Sequence, residues 1–371
     1  MVHTWAMQYQ LFLIITPGLE DNAREELESK CPVSPVVQVK GGLELTADLE
    51  WIINAHCLLK VPTRILMRIR DFKVRDFPKL HQKFCHFKWN EFLSHPEPEW
   101  EISCSKSRLM HPGRIEETIK EALKEALIRQ PLNLDWQKKN YPPQTFYIRI
   151  VDDHLTLSLD LTGDALYKRG IQKIKGEAPI RENFASAFLM DLFRGLETDI
   201  TLVDPMCGSA TFLTETSYFN VPIHLRNFAF ETAPFFKGKI VRLPKITKKL
   251  PFNRLIGLDV NEELIKKVKN EIDLDLRVQD SINTSINIDS EFVMICNPPY
   301  GERIKIEGKR GSFLKAAWTK FLTVDKPLRF GWVLPSDMDD LFQEAPGYKL
   351  LQKKHLRNGG MAVTYWLWER R

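Results

Sequence analysis

The chain has 371 residues, 43% of them hydrophobic and 27% charged, with a net charge of +5. That length is more than one ordinary core holds, so two or three domains are expected, and the apolar fraction excludes a disordered chain. The mild positive charge permits a nucleic-acid partner without demanding one.

Six cysteines, none spaced C-x-x-C, argue against a zinc site and against a disulfide framework. They suit a reducing cytoplasm, and no metal is expected. The apolar run 11–15 is too short for a signal segment or a membrane span and reads as a buried strand. The expectation is a cytoplasmic protein, monomeric and without a membrane partner.

In chain order, residues 9–69 read as β-α-β-α-β: strands at 11–16, 43–45 and 65–69, helices at 19–30 and 48–59. A second α/β stretch follows. It has a strand at 100–105, an amphipathic helix after Pro112-Gly113 with Ile115, Ile119, Leu123 and Leu127 on one face, and strands at 146–150 and 155–161. Turn chemistry at Thr162-Gly163-Asp164 marks a domain boundary. Beyond it strands and helices alternate as in a doubly wound sheet. Strands are expected at 202–204, 255–259, 274–278, 292–296, 330–334 and 362–368, helices at 181–193, 209–218 and 262–272. Residues 219–253 read as an insertion, with a Lys-rich stretch at 235–250.

Four constellations stand at strand ends in the second half. Asp204-Pro205-Met206-Cys207-Gly208-Ser209-Ala210 follows the first strand and opens a helix. A small residue there lets backbone approach a ligand at the helix N-terminus. Asp259, after the second strand, is suited to accept hydrogen bonds from ribose hydroxyls; alternatively it caps the next helix. Asp280, after the third, can accept from an adenine amino group or simply serve its turn. The fourth, Asn297-Pro298-Pro299-Tyr300, carries the most information. Two prolines remove two donors and fix the backbone. The Asn297 side-chain oxygen and the Pro298 carbonyl can then both accept from one planar amine and aim its lone pair at a methyl donor. Tyr300 can stack on a base.

These motifs, with Gly163-Asp-Ala-Leu-Tyr-Lys-Arg-Gly170, Ala178-Pro-Ile-Arg-Glu-Asn-Phe-Ala185, Thr16-Pro-Gly-Leu-Glu20, Ser105-Lys-Ser-Arg-Leu-Met-His111 and Arg357-Asn358-Gly359, resemble the THUMP-containing guanosine 2-amino RNA methyltransferases. The resemblance covers nearly the whole chain. It implies an α/β fold, with a Rossmann-like class I domain dependent on S-adenosylmethionine (SAM) at 161–371. An RNA-binding module would precede it at 1–160, made of a ferredoxin-like segment and a THUMP domain at roughly 43–160. By position Asp204, Met206 and Gly208 would line the SAM pocket, Asp259 would hold the ribose and Asp280 would face the adenine. Ala178 to Asn183 would close over the methionine end, and Asn297, Pro298, Pro299 and Tyr300 would hold the target amine. The RNA would be ribosomal or transfer RNA. Lys106, Arg108 and His111, just before a helix N-terminus, are the expected phosphate contacts. Ala210 departs from the glycine often found there and is expected to crowd the cofactor. Two rival readings share some of these features: a DNA adenine or cytosine amino methyltransferase, and a non-catalytic RNA-binding assembly factor.

Overall fold

The computed structural model describes residues 7–132, 143–170, 180–196, 199–236, 241–242, 244, 252–288, 290–299, 310–358 and 360–371. Two compact units emerge. One holds residues 1–16, 24–169 and 223–244; the other holds 17–23, 170–222 and 245–371.

The first unit is built on one seven-stranded sheet. Its strands are β1 (Tyr9–Ile14), β2 (Val36–Val39), β3 (Gly42–Ala47), β4 (Arg64–Lys73), β5 (Glu99–Ser105), β6 (Thr145–Val151) and β7 (His154–Asp160), in the order β2-β3-β1-β4-β7-β6-β5. Only the β5–β6 pair is parallel. Helix α1 (Glu20–Lys30) starts within the stretch that clusters with the second unit. Helices α2 (Leu49–Leu58), α3 (Phe77–Cys85) and α4 (Pro112–Arg129) complete the unit.

Local chemistry explains these helices. The Asp48 side chain accepts from the Trp51 amide at 2.8 Å and caps α2; the Asp76 side chain accepts from the Lys79 amide at 2.8 Å and caps α3. Helix α4 buries Ile115, Ile119, Ala122, Leu123 and Ala126. Its buried stripe thus runs through two alanines, and Leu127, expected on that stripe, is only half-buried.

The second unit contains α5 (Glu182–Phe193), β8 (Ile200–Asp204), α6 (Thr211–Tyr218), β9 (Phe252–Asp259), α7 (Glu262–Glu271), β10 (Asp275–Val278), β11 (Phe292–Cys296), α8 (Arg310–Lys320), β12 (Arg329–Pro335), β13 (Tyr348–Asn358) and β14 (Met361–Arg370). Its sheet runs β10-β9-β8-β11-β12-β14-β13. The first five strands are mutually parallel, and β14 and β13 close the edge antiparallel. Every residue of β8, β11 and β12 is buried, as parallel strands covered on both faces require. Chain progression reverses between β8 and β11. In open α/β sheets that switch point, at the carboxyl ends of the strands, is where ligands bind. Among the described residues no helix is long and apolar enough to cross a membrane.

Gly257 in β9 sits where no side chain fits. A Cβ there would lie 2.6 Å from Leu276 Cδ2, 2.7 Å from Leu213 Cδ1 and 3.0 Å from Cys207 Sγ. Both leucines are buried, so neither can swing into solvent. Gly257→Ala is therefore expected to lower stability by about 1–3 kcal/mol, the usual cost of overpacking. Thermal denaturation reads it, and an unchanged melting temperature would contradict the close approach.

Candidate functional site

The candidate site is built from four neighbouring strand ends, those of β10, β9, β8 and β11. At the end of β8, Asp204 is 2% exposed, and its Oδ1 accepts from the Met206 amide at 3.3 Å. Burial pushes its carboxyl up to about 8, the Met206 amide opposes this, and the charge of Asp259 adds to it. The buried side chain faces protein rather than open solvent, so it shapes the loop from below.

That loop is tied to the neighbouring strand. The Cys207 amide donates to the Leu258 carbonyl at 2.8 Å, and the Gly208 amide donates to Asp259 Oδ2 at 2.9 Å. Gly208 has φ +50°, and a Cβ there would meet nothing within 4 Å. The backbone face at Gly208 is thus clear, and the positive φ makes glycine the low-cost residue there.

Ala210 departs from expectation. It is fully buried, with φ 58° and ψ 35°, in the cap position of α6. Its methyl packs into the protein and does not occupy open space beside the loop. The departure from glycine is instead felt in the backbone, where a left-handed non-glycine residue costs about 1–2 kcal/mol.

Asp259 ends β9. Its Oδ1 accepts from the Asn261 amide at 2.9 Å while Oδ2 holds the Gly208 amide. The cap of α7 is Asn261, whose side chain accepts from Leu264 N at 2.9 Å. Asp259 is therefore not the helix cap. It clamps two loops and keeps further lone pairs on both oxygens.

Asp280 follows β10 and is bound up in its own turn. Oδ1 accepts from the amides of Ile282 and Asn283 at 2.9 and 3.1 Å, and Oδ2 accepts from the Asn283 side chain at 2.6 Å. Desolvation works to raise its carboxyl, but these hydrogen bonds prevail and hold it below its ordinary value.

Asn297 and Pro299 are half-buried and Pro298 is buried, directly after β11 and outside any ladder. Beneath them lies an apolar core of Val203, Ile256, Leu258, Met294, Cys296 and Trp332, on which Met206 is partly packed. Asn183 is fully buried in the first turn of α5, which packs on α6; there Ser186 Oγ donates to Glu215 Oε2 at 2.8 Å. Tyr300 and Ala178 lie outside the described residues. Lys106, Arg108 and His111 are all exposed in the first unit. The Arg108 amide donates to Asp153 Oδ1 at 2.8 Å, and His111 is the cap of α4 without a side-chain capping bond.

Sequence reasoning passed over Gly257 and the role of Cys207. Both act where β9 packs against β10, α6 and the loop after β8, and the crowding around Gly257 reveals them.

Comparisons with known proteins bear on the family and the fold. Residues 169–365 match the UPF0020 family model, described as RMKL-like, methyltransferase domain. The "Ribosomal RNA large subunit methyltransferase K/L" of Hahella chejuensis is 26% identical over 390 residues, covering 98% of this chain and 53% of that protein. The chain thus spans about half the length of that relative. YpsC of Bacillus subtilis is 25% identical over 381 residues, covering 97% of this chain and 95% of that protein. A solved structure described as a possible methylase from Clostridium difficile 630 superposes with a TM-score of 0.79 at 24% identity, over 98% of this chain and 99% of the other. The SMU.472 protein, solved in complex with SAH, superposes with a TM-score of 0.77 at 22% identity, over 98% of each chain. The structural likenesses establish the class I methyltransferase fold. With more than half of its length matched by the family model, the chain belongs to the UPF0020, RMKL-like methyltransferase-domain family.

Proposed function

We propose that the protein is a SAM-dependent RNA methyltransferase that modifies the exocyclic 2-amino group of a guanosine, in ribosomal or transfer RNA. The observation that carries this reading is the convergence of Gly208, Asp259 and Asn297-Pro298 at the switch point. The open face at Gly208 fits a cofactor laid against the backbone. The name of the Hahella relative and the SAH bound to SMU.472 support it.

When bound, SAM supplies an electrophilic methyl group. The protein's own residues then have to bind and orient. Met206 and Gly208 line the pocket on a loop that the buried Asp204 shapes from below, and Asp259 offers its remaining lone pairs to the ribose hydroxyls. Asp280 retains one acceptor position on Oδ2 for an adenine amino group, and Asn183, fully buried in α5, supports the methionine end from behind. The Asn297 oxygen and Pro298 carbonyl accept the two N–H bonds of the target amine. That holds the amine's lone pair out of the plane of the bonds, toward the methyl group; Tyr300 stacks on the base. No covalent enzyme intermediate is required, so positioning supplies most of the rate.

Incubation with methyl-labelled SAM and, separately, deproteinised ribosomal RNA, tRNA and duplex DNA tests this, with the product nucleoside identified by mass spectrometry. N2-methylguanosine from RNA is expected. Methylated adenine or cytosine from DNA would replace the substrate assignment. SAM binding without transfer to any of the three would favour a non-catalytic assembly factor. In calorimetry, Asp259→Ala is expected to weaken SAM binding by about 1.5–3 kcal/mol, the contribution of hydrogen bonds to a charged acceptor. Unchanged affinity would remove Asp259 from the pocket.

The 1–160 segment is proposed as the RNA-binding part, through Lys106, Arg108 and His111. Lys106→Glu with Arg108→Glu is expected to weaken RNA binding and flatten its log–log salt dependence by about one per lost phosphate contact, leaving SAM affinity unchanged. An unaltered salt slope would show these cations to be only a solvated face. Charge reversal is preferable to deletion of 1–160. The Ile223 amide donates to the Cys57 carbonyl at 2.9 Å and the Phe230 amide to the Leu161 carbonyl at 2.9 Å, so deletion would strip partners from 223–244.

A further inference from the structure

A second cluster of reactive side chains lies on helices α3 and α4 of the first unit. His81 and Cys85 are one helical turn apart on α3 and share a face. Glu125, 40 residues beyond Cys85, meets them from α4. Cys85 Sγ lies 3.6 Å from His81 Nδ1 and 3.3 Å from Glu125 Oε2, and His81 Nε2 lies 3.4 Å from Glu125 Oε1. Taking one donor atom from each residue, all three fall within 4.8 Å of one another.

We propose that His81, Cys85 and Glu125 form a Zn2+ site whose fourth position is open to water. In the metal-free chain the two sulfur contacts are ordinary hydrogen-bond lengths for a thiol, and the same spacings suit shared coordination. Tetrahedral zinc, with bonds of about 2.0–2.3 Å to N, O and S, sets its ligand atoms about 3.3–3.7 Å apart. The Sγ–Nδ1 and Sγ–Oε2 separations match that spacing. The Glu125 side chain is 57% exposed, and its two oxygens already face Cys85 and His81. A thiolate beside an imidazole selects zinc or a related transition metal over Mg2+ or Ca2+, which take oxygen ligands. The missing C-x-x-C pair that argued against zinc is no obstacle: the operative pattern is His-x-x-x-Cys on one helix and a distant Glu on its neighbour. Exposure of Glu125 leaves the fourth position to solvent, and the ion would join α3 to α4. Neither helix contributes to the candidate methyl-transfer site, so this inference stands or falls independently of that reading.

The test uses the full-length protein, stripped with a chelator and titrated with Co2+ and then Zn2+. One Co2+ per chain is expected, with a near-ultraviolet thiolate-to-cobalt charge-transfer band that Zn2+ abolishes, and a melting temperature that rises with free Zn2+ as mass action requires. Cys85→Ser should eliminate the band. Glu125→Gln, a change on an exposed side chain, should keep the circular dichroism of the wild type and weaken Co2+ binding at least about tenfold, no less than an outer-shell change costs. Absence of the band in the wild-type protein would overturn the proposal. So would its persistence in a folded Cys85→Ser variant, or unchanged Co2+ affinity in Glu125→Gln.

Discussion

Asn297→Ala is expected to lower kcat by about 10²–10³-fold while leaving the fold and SAM affinity intact. Losing one preorganised hydrogen-bonding group at a reacting centre has that order of effect. Asn297 is half-buried at the end of β11 and lies beyond the last paired residue of that strand, Cys296. Truncation leaves the Pro298 carbonyl to hold the amine alone, free to rotate about that single bond. Misalignment then costs rate rather than cofactor binding, because the cofactor's proposed partners are Gly208 and Asp259. Single-turnover kinetics with saturating SAM, alongside calorimetry on the same preparation, separate the two. An equal loss of SAM affinity would place Asn297 in the cofactor pocket and displace the amine assignment.

The parts of this site that were legible from sequence share one property. Asp204, Asp259 and Asn297 each follow a strongly apolar run, and a run buried on both faces ends at a predictable edge of a parallel sheet. The parts that were not legible depend on tertiary packing or on backbone conformation. Gly257 looks like any glycine in a strand until Leu213, Leu276 and Cys207 are seen around its α-carbon. Ala210 looks like a harmless replacement until its left-handed backbone is known.

The unexpected elements have similar causes. Strand β2, Val36–Val39, is a four-residue edge strand with no buried residue, so it offers no alternation to read. Strand β13 spans Tyr348–Asn358 at the other sheet's edge, with four of its eleven residues Lys or Arg. Two of them are held in ion pairs, Lys353 with Asp339 and Lys354 with Asp191, and charge on an edge strand also discourages further pairing. Helix α3 did carry a signal, an Asp cap at Asp76 with Pro78 in the first turn, ahead of buried Leu80 and Phe84.

Asp204 yields the second large expectation, a stability that falls as pH rises. In the folded protein its carboxyl titrates at about 8, against an ordinary 3.8. Between those values the folded chain keeps a proton that the unfolded chain has released. Proton binding then favours folding, so the advantage is present at low pH and lost as pH climbs toward 8. Each unit of difference corresponds to about 1.4 kcal/mol, so the whole change amounts to several kcal/mol. Asp204→Asn should cancel it. The amide has the same shape, keeps an oxygen for the Met206 amide, and carries no charge to desolvate. Against wild type the variant should gain modestly at pH 5 and melt markedly higher at pH 8.5, in denaturation run without SAM. The Asp259 charge contributes to the shift, so Asp259→Asn should shrink that difference without removing it, because burial is the larger cause. A wild-type protein whose advantage over Asp204→Asn grows with pH would mean that Asp204 is ionised in the folded state, held by a partner stronger than the Met206 amide.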